Sequence, residues 1–410
     1  MEEKKINKSI IFSVVAVLLL VVVVIGATVA YFSAQAQTDV QTVTTANLTM
    51  GFEAGDIIRA TGITPINDSE IKTKATELPF SVTNTGSEHM NLTIKLTDIT
   101  IDEALKDVDF RWGLYNADTG NGLSFGIFKY TTTEELLYTD TIIDAADPDI
   151  TKNYILRIWL HDDGALQNEF MGKTFSGKVT VTGEAIEYTP ESCFEFDSST
   201  GTIRDTDNDL TAYDTSCGTN VVIPKTIDGV DVKTIEMEVF NTDTKSVIIP
   251  DTVTELVGDE NFLGVNHLTI PESVTNIIAT IPALNPNMNS IFIPETTIYN
   301  QGPWLRLNAK VVVLGANINA RIYVCEGVEE IILMDGITTI RYSTFDEKPL
   351  LTTIELPSSV TVVEEWAFDG WTNLTEIVVR GKTSLDDFED ATGLTTEGGL
   401  PEGVNIIFRP

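Results

Sequence analysis

The second half of the chain repeats one arrangement of apolar and polar positions. Short apolar runs end in proline at Val221-Val-Ile-Pro224, Val247-Ile-Ile-Pro250, Leu268-Thr-Ile-Pro271 and Ile291-Phe-Ile-Pro294. The cleanest copy spans residues 353–377 and closes the same run with Leu356-Pro357. Two copies lose the proline, Val311-Val-Val-Leu314 and Ile331-Ile-Leu-Met334. The end positions 224, 250, 271, 294, 314, 334, 357 and 380 are 26, 21, 23, 20, 20, 23 and 23 residues apart. A self-similar period in this range predicts a stacked solenoid. Three or four apolar residues cannot bury their face alone, so each strand needs the next copy beside it. Proline at the strand end supplies no N–H and stops the ladder there.

The first half alternates with period two. Met90, Leu92, Ile94 and Leu96 interleave with Asn91, Thr93, Lys95 and Thr97. Tyr154, Leu156, Ile158 and Leu160 interleave with Ile155, Arg157 and Trp159. Phe110, Trp112 and Leu114 precede a Gly- and Asn-rich turn at residues 116–122. Such alternation predicts strands with one face on a core. Several of them with no long helical pattern predict a β-sandwich, jelly-roll-like in type. Only residues 101–106 and 132–137 read as short helices.

Residues 1–36 fall outside both patterns. Lys4, Lys5 and Lys8 precede an apolar run from Ile10 to Phe32, with no charge until Asp39. At about 1.5 Å per residue the run can span the hydrocarbon of a bilayer. The lysines before it predict a cytoplasmic N-terminus and an extracytoplasmic bulk. Small residues suited to leader cleavage occur twice, so the bond between Ala30 and Tyr31 and the bond between Ala36 and Gln37 are both candidates. Retention as an anchor and release after cleavage both stay open.

Composition narrows the function. The chain has 410 residues, and 61 acids against 26 bases give a formal net charge of −35. A surface so acidic excludes phosphate-backbone binding, so no nucleic-acid partner is expected. His89, His161 and His267 form no His-Glu-x-x-His pattern. His161-Asp162-Asp163 reads as a polar turn after a strand rather than a cation site. Asp205-Thr-Asp-Asn-Asp209 has the alternating acids of a calcium loop, but Leu210 and Ser216 stand where the sixth-position Gly and twelfth-position Glu belong. It reads as a solvated turn and leaves room only for weak Ca²⁺ binding. With no phosphate loop and no nucleophile elbow, no catalytic, cofactor or metal residue is assigned, and the protein is read as not an enzyme. Outside the membrane, Cys193 and Cys217 are candidates for a disulfide, and Cys325 reads as a small apolar core residue.

Two family resemblances add expectations. The strand-Ile-Pro-x-x-Val unit, with Ala367-Phe368 and Leu374 after it, resembles the BspA-type leucine-rich repeat over residues 219–380, although residues 300–330 lack the Ala-Phe element. Gly26-Ala-Thr-Val-Ala-Tyr-Phe-Ser33, Leu78-Pro-Phe-Ser-Val-Thr-Asn-Thr-Gly86 and Gly172-Lys-Thr-Phe-Ser-Gly-Lys-Val-Thr-Val181 resemble the leader and strands of the TasA/camelysin family over residues 26–188. The fold expected is mainly β: a membrane-spanning helix or signal over 1–36, a TasA-like β-sandwich over 37–190, a β-hairpin junction over 191–220, leucine-rich repeats over 221–380 and a C-terminal cap over 381–410. The first resemblance implies a surface-displayed adhesion protein that binds a protein or cell-surface ligand, with Trp366 and Trp371 as candidate contacts. The second implies a secreted matrix or filament subunit that self-associates by donating the β-prone residues 40–50. It also implies, third, a camelysin-like metalloprotease, for which the chain offers no residues.

Overall fold

The computed structural model describes residues 33–37, 41–45, 48–54, 57–144, 151–206, 212–236, 239–240, 243–258, 267–279, 289–293, 298–299, 305–307, 310–315, 322–324, 328–342, 345–346 and 350–410. The apolar run, Ala30, Tyr31 and Cys325 lie outside them. Among the described residues no helix is long and apolar enough to cross a membrane.

Among the described residues the first half forms twelve strands: β1 (Ser33–Gln37), β2 (Gln41–Thr45), β3 (Leu48–Ala54), β4 (Ile58–Thr61), β5 (Pro65–Ile66), β6 (Thr76–Asn84), β7 (His89–Ile101), β8 (Phe110–Asn116), β9 (Gly122–Ile127), β10 (Glu135–Ile143), β11 (Thr151–His161) and β12 (Thr174–Ile186). One sheet runs β1-β12-β7-β10 with β4 on β12, the other β2-β3-β6-β11-β8-β9 with β5 on β11. The alternating sets of β7, β8 and β11 meet in one core between the sheets. Phe110, Phe128 and Phe175 fill its centre, with ring centroids 4.7–5.5 Å apart.

Three local expectations change. Residues 101–106 hold only the 3₁₀ turn Glu103–Leu105, which buries Leu105. Residues 132–137 are not helical: β10 starts at Glu135, because its edge pairing with β7 outweighs the local preference. Within residues 40–50, the described stretches 41–45 and 48–50 are not a free strand, since β2 pairs with β3 and β3 with β6 inside one sheet. β1 also begins within the stretch assigned to the leader: Ala36 and Gln37 pair with Val181 and Thr180 of β12.

The second half builds two sets of parallel ladders. In the first, Val221 pairs with Val247 and Val247 with Leu268; then Val312 with Ile331 and Leu314 with Leu333; then Ile354 with Ile377 and Leu356 with Val379. The inward side chains stack copy upon copy into a single core. The proline signature has a geometric reason. Pro250, Pro271 and Pro357 each accept, through the carbonyl, the N–H of the inward valine three residues on, Val253, Val274 and Val360. Met334 does the same for Ile337. The turn brings the chain to the second set of ladders, where Ile203, Ile235, Leu256 and Ile277 line up buried and in register. The strand Asn405–Arg409 adds a further parallel rung beside Glu376–Arg380.

Candidate binding site

The first ladder has a second, outward row, which lies against the two-sheet unit. Register aligns Phe292, Val313 and Ile332. They pack on Tyr115, Phe125, Ile127 and Trp159, which β8, β9 and β11 turn away from their own core. Phe125 packs on Phe292 with ring centroids 4.5 Å apart and planes tilted by 51°, and meets Trp159 edge-on. This explains why Val311-Val-Val-Leu314 is apolar at every position: the strand is buried on both faces, as parallel strands between layers are. Two of the copies that dock, at residues 311–314 and 331–334, are the proline-less ones, and the copy that carries Phe292 keeps its proline.

Polar contacts flank the apolar patch toward both ends of the array. Lys225 pairs with Asp144 at 2.5 Å and Lys152 with Asp251 at 3.4 Å. Asn116 donates to Glu272 at 2.7 Å and Asn289 to Glu135 at 3.2 Å. Lys129 meets Glu330, and Arg409 holds Asp163 at 2.6 Å. An apolar centre with a polar periphery is the anatomy of a stable interface. The repeats therefore lie along the two-sheet unit.

His161 is not in a solvated turn. It ends β11, is 6% exposed, and bridges Asp68 at 2.9 Å through Nδ1 and Glu355 at 2.7 Å through Nε2. Burial and Arg111 oppose its charge, but the two carboxylates outweigh them and raise its pKa. Burial likewise works against the Asp68 carboxylate, yet His161, Arg111 and the Trp159 N–H hold it well below the usual range. Arg380 and Arg409 close the same corner around a cavity of about 160 Å³. Two other seam acids go the opposite way: burial pushes Glu135 up to about 7, and pushes Asp109 up to about 6 against the pull of Arg111 and His161. Among the described residues no group of three His, Cys, Asp or Glu side chains is arranged to hold a metal ion. The Asp205–Asp209 motif lies partly outside the described residues.

The two candidate tryptophans separate. Trp371 is fully buried, edge-on to Phe368, and belongs to the repeat core. Trp366 is 39% exposed and sits at φ +62°, a left-handed conformation that L side chains rarely adopt. Its N–H donates to the Gly398 carbonyl at 2.7 Å. Its ring lies on Gly399, where an added Cβ would come within 2.5 Å of it. Glu365, Asp369 and Glu397 are exposed around it. One copy earlier Tyr342 is 48% exposed, with its N–H bonded to Glu364.

Cys193 and Cys217 form a disulfide, Cα atoms 6.3 Å apart, at the start of the repeats. The backbone of His267 lies in the strand His267–Thr269. His89 meets Asp144 at 3.1 Å. Sequence reasoning missed the docking residues Phe125, Phe292, Val313 and Ile332. For Val313 and Ile332 the available signal was a fourth apolar residue, Leu314 and Met334, where the other copies place proline; Phe125 and Phe292 carried no such signal.

Residues 233–303 and 317–391 match the family described as BspA type leucine rich repeat region, in six copies. These residues are similar to leucine-rich repeats of that type. A leucine-rich repeat protein of known crystal structure from Bacteroides ovatus is 18% identical over 47% of this chain and 55% of its own, with a TM-score of 0.28. The chain spans about half the length of that protein. No curated protein sequence matches.

Proposed function

We propose that this is a non-enzymatic, cell-surface binding protein whose repeats wind as a solenoid and present the Trp366 turn to a protein partner. The carrying observation is Trp366 itself: a large aromatic held exposed in a strained backbone conformation. Strain of about 1–3 kcal/mol persists where surrounding structure enforces it, and such outliers gather at functional positions. The acidic surround gives the partner its chemistry. A lysine or arginine over the indole face gains a cation–π contact, with carboxylates completing the recognition. Display outside the cell is supported by the apolar run after Lys8 and by the disulfide, which oxidising compartments favour. The leader, retained as an anchor, would hold the docked pair at the membrane. The filament reading has less support, because residues 41–45 and 48–50 are already paired within their own sheet.

The test is an array of immobilised extracellular and cell-surface proteins, probed with the full chain and with Trp366→Ala. The reading expects a basic binder whose signal falls at least about tenfold in the variant, or about 1.4 kcal/mol, and weakens with salt. Equal binding by both chains would sink it.

A further inference from the structure

A second site is independent of the Trp366 reading. Where the two-sheet unit meets the second and third repeat copies, an open cleft of about 350 Å³ remains. That is within the range of about 300–1,000 Å³ usual for small-ligand sites. One wall is the turn between β8 and β9 with the start of β11. The other is the pair of Pro turns that follow the strands Ser246–Ile248 and His267–Thr269. Leu123, Ile249, Pro250 and Pro271 give it apolar surface.

Its polar groups are held in place by one another. Asp118 receives both of its contacts from Asn153 Nδ2, at 3.1 and 3.2 Å. Glu272 accepts from Asn116 at 2.7 Å and from Thr119 at 3.5 Å. A carboxylate offers about four acceptor sites, so each keeps capacity toward the cleft. The two lysines are already committed: Lys152 and Lys225 both pair with Asp251, at 3.4 and 3.1 Å, and Lys225 also with Asp144. Ser273 Oγ, another lining group, is buried without a hydrogen-bond partner among the described residues. A buried hydroxyl left in that state costs about 1–3 kcal/mol until something bonds it.

We propose that this cleft binds a neutral, polyhydroxylated ligand, a short saccharide. Hydroxyl donors meet the spare carboxylate acceptors in charge-assisted hydrogen bonds. Apolar C–H faces of the sugar rings lie on the proline and leucine surface, and a ring hydroxyl bonds Ser273 Oγ. An anion would face Asp118, Asp251 and Glu272 with both lysines engaged. A purely apolar ligand would strip water from those carboxylates and replace it with nothing.

The experiment is saturation-transfer NMR on the full chain with maltotriose, cellotriose and triacetylchitotriose as probes, at millimolar concentration. At least one is expected to receive saturation, and excess spermidine should not quench that signal. Thr269→Trp, which fills the cleft from its wall, should abolish the signal. Glu272→Gln and Asp118→Asn, which keep shape and remove charge, should each weaken binding by about tenfold. A circular-dichroism melt of each variant establishes that it is folded. No saturation of any trisaccharide, an undiminished signal in folded Thr269→Trp, or quenching of the signal by spermidine would overturn the proposal.

Discussion

Phe125 of the two-sheet unit and Phe292 of the repeats meet with ring centroids 4.5 Å apart and planes tilted by 51°, and around that contact two β architectures become one body. Neither ring belongs to the core of its own half; both belong to the cluster between the halves. The array of repeats thereby covers one of its faces with the rest of the same chain.

Truncating the contact should separate the halves energetically. Phe125→Ala removes a buried ring, a change that typically costs about 3–5 kcal/mol. Equilibrium denaturation of the wild type should show a single transition. The variant should show two, with the repeats and the two-sheet unit melting apart. A single transition at the wild-type midpoint would contradict the docking.

Stability should fall as pH rises through the neutral range. The Glu135 carboxyl sits at about 7 in the folded chain against an ordinary 4.5, so the folded state holds its proton while the unfolded chain loses it. That contribution, at most about 3 kcal/mol, is present below pH 4.5 and is lost between there and about 7. Asp109, at about 6, acts in the same direction. His161, raised above 6.5, adds stability that is full below 6.5 and is lost as pH climbs through its folded value. Asp68 opposes them only in acid: its lowered pKa stabilises above 3.8, and that is lost as pH falls toward about 2. Melting temperature against pH should therefore peak near about pH 4–5. Glu135→Gln, which keeps the bonds from Thr131 and Asn289, should flatten the decline between pH 5 and 7.

The disulfide closes a loop with a sequence separation of 24. Cys217→Ser should lower stability by about 3 kcal/mol on the loop-entropy scale. Dithiothreitol should lower the melting temperature of the wild type and leave the variant unchanged.

Stability and binding should part company at Trp366. Glycine accepts φ +62° without strain, so Trp366→Gly should leave stability unchanged or raise it by up to about 1 kcal/mol. The same variant should lose partner binding. A marked fall in melting temperature would show that Trp366 serves the fold instead.

The repeat was legible because its physics is local. A proline whose carbonyl receives the valine three residues on leaves the Pro-x-x-Val spacing in the chain, and the alternation of β7 and β11 announces their core face directly. What docks on what was not legible. Trp159, Ile155 and Arg157 read as the outward set of β11, and nothing in the spacing says that Val313 and Ile332 will cover it. The environment of His161 was equally hidden. Its partners Asp68 and Glu355 are separated from it by 93 and 194 residues, and only the folded seam brings them together. Residues 132–137 misled for the opposite reason, since their local preference gave way to the pairing of β10 with β7.

Small-angle scattering from the chain beginning at Ser33 tests the side-by-side arrangement most directly. A single compact body of that length has a radius of gyration of about 21 Å, and docking of Phe125 on Phe292 predicts that value, unchanged between pH 5 and 7. A radius several ångströms larger, with a pair-distance distribution showing two separated maxima, would mean that the halves stand end to end, and the account would fail.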